Sequence, residues 1–445
     1  MTAEHTAAMS GDAAWMLISA ALVLLMTPAL ACFYGGMAGR RAVLNMMMMS
    51  FGSLGVVSVV YVLWGWSMSY GGGSVAGVFA NPFTQFGLSG AIVDGAGDYV
   101  AGAAGYANVI DVCFQLTFAV IAAALITGAI ANRARFATWL VFAAAWVTFA
   151  YFPMAHMVWG GGLLSDGAGG IPAALFGTVA EGGERVARIA PIDFAGGTVV
   201  HINAGMAALV LAIIVGPSVG FLRTAHRPHN LPLVMLGAAL LWFGWFGFNA
   251  GSAFAADGVA GLAWLNTTVA TGAAMLGWLG CERIRDGKAT SLGAASGVVA
   301  GLVAVTPACG DLTPAGAIAL GAVGGVLACL GVGLKYRLRF DDSLDVVGVH
   351  LVAGLWGTVG VGLLADGRGL LTGGGADGAR LLVVQILIAA VAMVFSGAVT
   401  AALGLGLRAT MGWRVADAAE RSGIDGAEHG ETAYDTTTAI PSPRP

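Results

Sequence analysis

The chain is a succession of apolar runs, each close to 20 residues long and separated by short polar connections, a pattern that leaves few folds open. About 20 apolar residues in a helix cross the hydrocarbon core of a bilayer. Eleven such segments begin near Ala13, Val43, Val109, Phe136, Phe194, Leu231, Val259, Ala289, Pro314, Val346 and Ala379. Lipid offers backbone amides no hydrogen bonds, so spans of this kind must be helices that pair their own N–H and C=O groups. The expected fold class is an all-α polytopic membrane protein with eleven transmembrane helices. Only 10% of residues are charged, far below the roughly 25% of soluble domains. Gly contributes 70 of 445 residues, as expected where small side chains let membrane helices approach closely.

An odd number of spans puts the termini on opposite sides. With the N-terminus outside, the inner connections hold Arg40, Arg41, Arg133, Arg135, Arg223, Arg227, Arg283, Arg285, Lys288, Lys335, Arg337 and Arg339, and the tail adds Arg408, Arg414, Arg421 and Arg444. That is sixteen of the 20 basic residues. The positive-inside bias therefore predicts N-terminus out and C-terminus in. The expected location is the cell (plasma or inner) membrane, with an extracellular or periplasmic N-terminus and a cytoplasmic C-terminus. Met1 to Asp12 has no Lys or Arg, so no signal peptide is expected. No basic stripe suggests nucleic acid, and the five cysteines have no metal-ligand spacing, so no metal or cofactor is expected. The two long outer connections, Gly71 to Asn108 and Gly160 to Asp193, are expected to cap a pore mouth.

Two ionisable residues stand inside apolar spans in matching phrases, Val200-His201-Ile202-Asn203-Ala204-Gly205 and Val349-His350-Leu351-Val352-Ala353-Gly354. An ionisable side chain in hydrocarbon points to function. The phrases are 149 residues apart (350 minus 201) and fall in spans five and ten, which run in opposite directions. This predicts an inverted 5+5 repeat, about 13–215 and 231–366, with one extra helix at about 379–411 and a shared site between the halves. Asp193 precedes His201 by eight residues, about 12 Å along a helix, and is expected to cap the helix, a role compatible with shaping the outer mouth. Counting from Asp345 puts His350 nearer the inner face than His201. Phe248 and Ser252 share a helix face. Trp159, by itself, reads as an interfacial aromatic, and Phe118 as a core one.

Three strings, Asp193-Phe194-Ala195-Gly196-Gly197-Thr198-Val199-Val200-His201-Ile202-Asn203, Phe246-Gly247-Phe248-Asn249-Ala250-Gly251-Ser252 and Asp345-Val346-Val347-Gly348-Val349-His350, resemble the signature segments of the ammonium transporter, methylammonium permease and Rhesus protein family. The likeness runs through nearly the whole chain. It implies a homotrimer with one pore per subunit, and a transporter rather than an enzyme. It also implies that Trp159 and Ser252 form an external ammonium site supported by Asp193, that Phe118 and Phe248 form a gate beneath it, and that His201 and His350 line the path and relay protons. Phe114, Gln115 and Trp245 are implied to shape the same region. Ammonium, with methylammonium as its analogue, would be deprotonated and pass as ammonia through an apolar bore that charges several kcal/mol to a bare ion. Burial disfavours imidazolium, so the two rings would share one N–H···N bond.

Met411 to Pro445 reads by composition as a solvated, disordered tail. The resemblance instead implies a regulatory segment over 412–445, with Gly412, Arg414, Asp425, His429, Gly430 and Tyr434 matching the part that docks a PII signal protein in relatives. The membrane domain is then 1–411. The connection from Trp159 to Asp193 is longer than expected for bacterial relatives. Three rival readings stay open: an ammonium sensor on the same scaffold, a metal or redox enzyme using His156, His201 and His350, and a channel for carbon dioxide or water.

Overall fold

The computed structural model describes residues 3–223 and 227–434, with side chains from Met9 onward. The stretch Thr436 to Pro443 and Arg444, assigned above to a disordered tail and to the inner face, lie outside the described residues. Helices dominate. We label the long ones α1 Met9–Met37, α2 Val43–Tyr70, α3 Asn108–Ile130, α4 Phe136–Val158, α5 Gly197–Val215, α6 Leu231–Gly251, α7 Gly258–Asp286, α8 Ser291–Val305, α9 Pro314–Leu338, α10 Val347–Leu364 and α11 Gly375–Thr410. All but α8 are long and apolar enough to cross a membrane, which makes ten such helices among the described residues.

The segment predicted from Ala289 onward is the exception. As α8 it has 15 residues, about 22 Å at the α-helical rise and short of a bilayer core of about 30 Å. Its apolar run is stopped by Thr306-Pro307: proline removes an amide donor and disfavours helix in the residue before it. A turn through Cys309 and Asp311 follows, anchored by Asn266, whose Nδ2 donates to Cys309 O and Leu312 O at 2.8 Å each.

Small residues set the packing. A Cβ on Gly237 of α6 would come within 2.4 Å of Phe33 N of α1, and one on Gly321 or Gly325 of α9 would strike the α7 backbone. Such close approach suits helix association in lipid. The outer faces are apolar and exposed, as at Phe149, Ile213, Leu276 and Val394, in keeping with a multi-pass membrane protein.

Between α4 and α5 lie a short helix, Ile171–Phe176, and a hairpin of β1 Thr178–Glu181 and β2 Glu184–Ala187, antiparallel with Val179 opposite Val186. After α11 the chain does not dissolve into solvent. Trp413 is 3% exposed and Ile424 1%, and the tail up to Tyr434 packs on the helix ends. Glu428 accepts from Phe136 N at the start of α4 (2.8 Å), whereas the other end of α4 leads into Trp159. The tail and Trp159 therefore mark opposite faces, called here the tail face and the vestibule face.

Candidate functional site

Each histidine sits in a π-helical turn, Gly197–Ile202 at the start of α5 and Val347–Val352 at the start of α10. Such widened turns re-aim side chains and recur at functional sites. Each turn is capped by a carboxylate eight residues before its histidine: 201 minus 193 and 350 minus 342. Asp193 accepts from the amides of Gly196 (3.2 Å), Thr198 (3.0 Å), Val199 (3.3 Å) and Gly197, and from the Thr198 hydroxyl. Asp342 accepts from Val346 (3.1 Å) and Val347 (2.7 Å). Helix N-termini leave such amides unpaired, and a carboxylate satisfies them. Asp193 thus caps its helix with both oxygens and also lines the cavity described below. Asp345, from which depth was counted, is not the cap. It sits at φ 66° and pairs with Lys335 at 2.7 Å.

With Asp342 as the cap, each histidine stands eight residues beyond its capping carboxylate. His201 Nδ1 and His350 Nδ1 are 3.3 Å apart, with ring centroids 5.4 Å apart and both side chains buried. The segments cross in opposite senses. A Cβ on Gly205, four residues past His201, would meet Leu351 N at 2.6 Å, and one on Gly354, four past His350, would meet His201 Cβ at 3.0 Å. The glycines let the backbones close until the rings touch.

Aromatic rings continue the line toward the vestibule face. The His201 ring stacks on Trp245 (5.4 Å between centroids, 16° between planes) and lies 6.0 Å from Phe248. Phe248 stacks on Phe118 at 4.1 Å and 14°. Phe118 meets Trp159 edge-on at 6.1 Å. Trp159 Nε1 donates to Asp193 O at 2.9 Å, which fixes the indole at the mouth. Ser252 Oγ donates to Phe248 O at 2.8 Å, leaving its lone pairs free to accept. Trp245 Nε1 donates to Thr306 Oγ1 at 2.9 Å, so the turn after α8 orients the indole beside His201.

A cavity of about 630 Å³ opens above these rings, lined among others by Phe118, Trp159, Asp193 and Ser252. Gln115 lines it too, whereas Phe114 stands behind Phe118, at 4.8 Å between centroids, against Phe254. Sequence reasoning missed Asp111, Asp311 and Arg368, which also line the cavity; Arg368 pairs with Asp311 at the rim. It also missed Asp342, although the repeated eight-residue spacing was there to find.

Burial raises the carboxyl pKa of Asp193, opposed by its hydrogen bonds from Thr198, Val199 and Gly197. Burial pushes Asp342 up to about 7, opposed by the Lys335 charge. Asp311 is raised by burial, opposed by Arg368. His156 stands apart from the pair, with Nε2 2.8 Å from Ser74 Oγ and Nδ1 3.1 Å from Ser69 O. Among the described residues no three metal-ligating side chains converge.

Of the tail residues named above, Gly412, Arg414, Asp425, His429 and Tyr434 make hydrogen bonds on the tail face. Asp425 accepts from Leu44 N (3.2 Å) and Asn45 N (2.8 Å) at the start of α2. His429 Nε2 is 3.0 Å from Asn45 Oδ1, and Tyr434 Oη 2.7 Å from His229 Nε2. Arg414 Nη2 donates to Glu420 at 2.6 Å. Gly412 and Gly430 take φ of 73° and 68°, where a side chain would be strained, and Gly412 O accepts from Thr138 Oγ1 at 2.7 Å.

The family model described as Ammonium Transporter Family matches residues 14–434. An ammonium transporter of Mycobacterium tuberculosis is 51% identical, covering 98% of this chain and 92% of the relative. One of Aquifex aeolicus is 42% identical, covering 96% and 93%. Among solved structures, one described as Sensor Amt Protein superimposes with TM-score 0.82 at 26% identity, covering 96% of this chain and 100% of that one. The crystal structure of Candida albicans Mep2 gives TM-score 0.78 at 26% identity, covering 92% and 86%. With a family model and relatives of this identity both spanning nearly its whole length, this multi-pass membrane chain belongs to the ammonium transporter family, a family of transport proteins rather than enzymes.

Proposed function

We propose that the chain takes ammonium from outside the cell at Trp159 and Ser252, removes its proton at the vestibule, and conducts ammonia past Phe118 and Phe248 along His201 and His350 into the cytoplasm. The observation that carries this reading is the unbroken file of rings from Trp159 through Phe118, Phe248 and His201 to His350, each in contact with the next. Ammonium and potassium are alike in size and charge, so a size filter fails between them. A removable proton and a directed acceptor succeed. Trp159 offers a cation–π face of about 0.5–2 kcal/mol, and Ser252 Oγ accepts an N–H. The stacked phenylalanines then refuse an ion that cannot shed its charge. The histidine pair supplies the hydrogen bonds that ammonia loses on leaving water, and a route for the proton.

In the same reading the N-terminus is outside, the halves form an inverted repeat, and three subunits assemble with one pore each. The matched caps of Asp193 and Asp342 and the crossing at Gly205 and Gly354 support the repeat. The tail is the regulatory segment, against which a PII signal protein docks to close the pore.

The test is to record currents from liposomes on a supported membrane while stepping ammonium, methylammonium and potassium. A saturable ammonium current, absent with potassium and abolished by replacing both His201 and His350 with non-ionisable residues, is expected. An unchanged current in the double variant would remove the proton-relay role. One further reading has an observation behind it: the tail caps α2 and α4 directly, as a signalling arm on a sensor would. Ammonium binding that depends on Trp159 and Ser252, with no transport of ammonia or current, would favour it.

A further inference from the structure

The cavity above Trp159 carries several carboxylates, and they are not equivalent. Asp193 spends both oxygens on amides and the Thr198 hydroxyl, and Asp311 is neutralised by Arg368. Asp111 is different. It is 8% exposed and holds one side-chain hydrogen bond, from Tyr106 Oη to Oδ1 at 2.7 Å; among the described residues no cation pairs with it. Its second oxygen faces Gly102, where a Cβ would come within 2.5 Å of Oδ2. One helical turn on, Gln115 lines the same cavity, is 8% exposed, and its Oε1 has no hydrogen-bond partner. A buried amide oxygen without a donor costs about 1–3 kcal/mol, so this pair of acceptors asks for a ligand that brings both positive charge and N–H groups.

Asp111, Gln115 and Phe118 follow one another at spacings of four and three, hence along one face of α3. Asp111 stands about 10 Å above Phe118 along the axis. We propose that Asp111 Oδ2 and Gln115 Oε1 form an outer cation subsite that receives ammonium before Trp159 and Ser252, as the first of two stations down α3. A carboxylate attracts any monovalent cation, so this station concentrates and the deeper one selects. The proposal rests on the reading that ammonium enters through this cavity.

Ammonium titrations on reconstituted protein, by current and by calorimetric binding, test it. Asp111→Asn is expected to raise the half-saturating ammonium concentration about tenfold. Gly102→Ala, which keeps the charge but crowds Oδ2, is expected to raise it severalfold, and it serves if the Asn variant does not reconstitute. Half-saturation within twofold of the parent in either reconstituted variant overturns the subsite, even if the maximal current changes. If the parent passes neither current nor ammonia but binds ammonium through Asp111, the subsite stands and the transport reading falls. If the parent neither binds nor conducts, both fall.

Discussion

The starts of α5 and α10 are built alike and surrounded differently. Each has a capping aspartate, a left-handed residue three positions on, a π-helical turn and a histidine eight positions on. At α5 the left-handed residue is Gly196, φ 114°, and the surroundings are the Trp159 ring and the open cavity. At α10 it is Asp345, φ 66°, and the surroundings are charged. Lys335 Nζ bonds Asp345 at 2.7 Å and donates to Asp342 O at 3.0 Å, while the buried Arg133 donates to Asp341 O at 2.7 Å and Ser343 Oγ at 2.6 Å. The same cap therefore stands at two faces of the molecule in different company. On the vestibule face it borders an aromatic ring and the open cavity; on the tail face it borders an ion pair.

The largest expected effect that sharpens this comparison is Asp193→Ala. It orphans four amides against two for Asp342→Ala, and each buried donor left unpaired costs about 1–3 kcal/mol. Thermal unfolding in detergent should show the Asp193 variant losing about twice as much stability. Equal losses would mean that the surroundings, not the caps, set the energetics. Next comes Gly196→Ala. Its Cβ would meet Val200 Cγ2 at 2.8 Å and the Trp159 ring at 3.3 Å, in a backbone region that costs an ordinary residue about 1–2 kcal/mol. Displacing the indole should raise the half-saturating ammonium concentration severalfold, and an unaltered titration would detach Trp159 from the mouth. Asp345→Gly should act more weakly, since relief of left-handed strain offsets the lost Lys335 pair; a net change in unfolding free energy within about 1 kcal/mol is expected.

The smallest effect is on pH dependence. The folded protein holds the Asp342 proton up to about pH 7 against 3.8 for the free group. The native state then binds more protons than the unfolded chain through that window, so this contribution to stability is full below 3.8 and lost as pH rises toward about 7. Asp193 is shifted the same way. Asp341 is lowered, against its burial, chiefly by Arg133, so its contribution changes only in more acid solution. Asp342→Asn should flatten a melting-temperature profile between pH 4 and 7; an unchanged slope would assign it to other groups.

Much of this was legible because membrane physics writes itself into sequence. Ten of the eleven predicted spans are helices of crossing length, and the histidine pair followed from one repeated phrase. The cap before His350 did not, because a cap is a matter of which carboxylate turns back on the helix, and both Asp342 and Asp345 stood before the same run. The eleventh run was shortened by Pro307, whose effect a hydropathy count ignores. The spacing of Asp111 from Gln115 and Phe118 was there to read, but the partners that hold it, Tyr106 and Gly102, are brought by loop folding that periodicity does not show. The tail was misread by composition since its anchors, Trp413, Val415 and Ile424, are too few to register against their polar neighbours.

Glu428 and Asp425 close the first turns of α4 and α2, helices that leave the ribosome some 290 and 380 residues earlier (428 minus 136, 425 minus 45). Until Asp425 and Glu428 are made, the amides of Leu44, Asn45 and Phe136 must bond water or lipid headgroups. The tail thus fastens helices made long before it, and a chain truncated anywhere before Asp425 carries unsealed first turns at both α2 and α4.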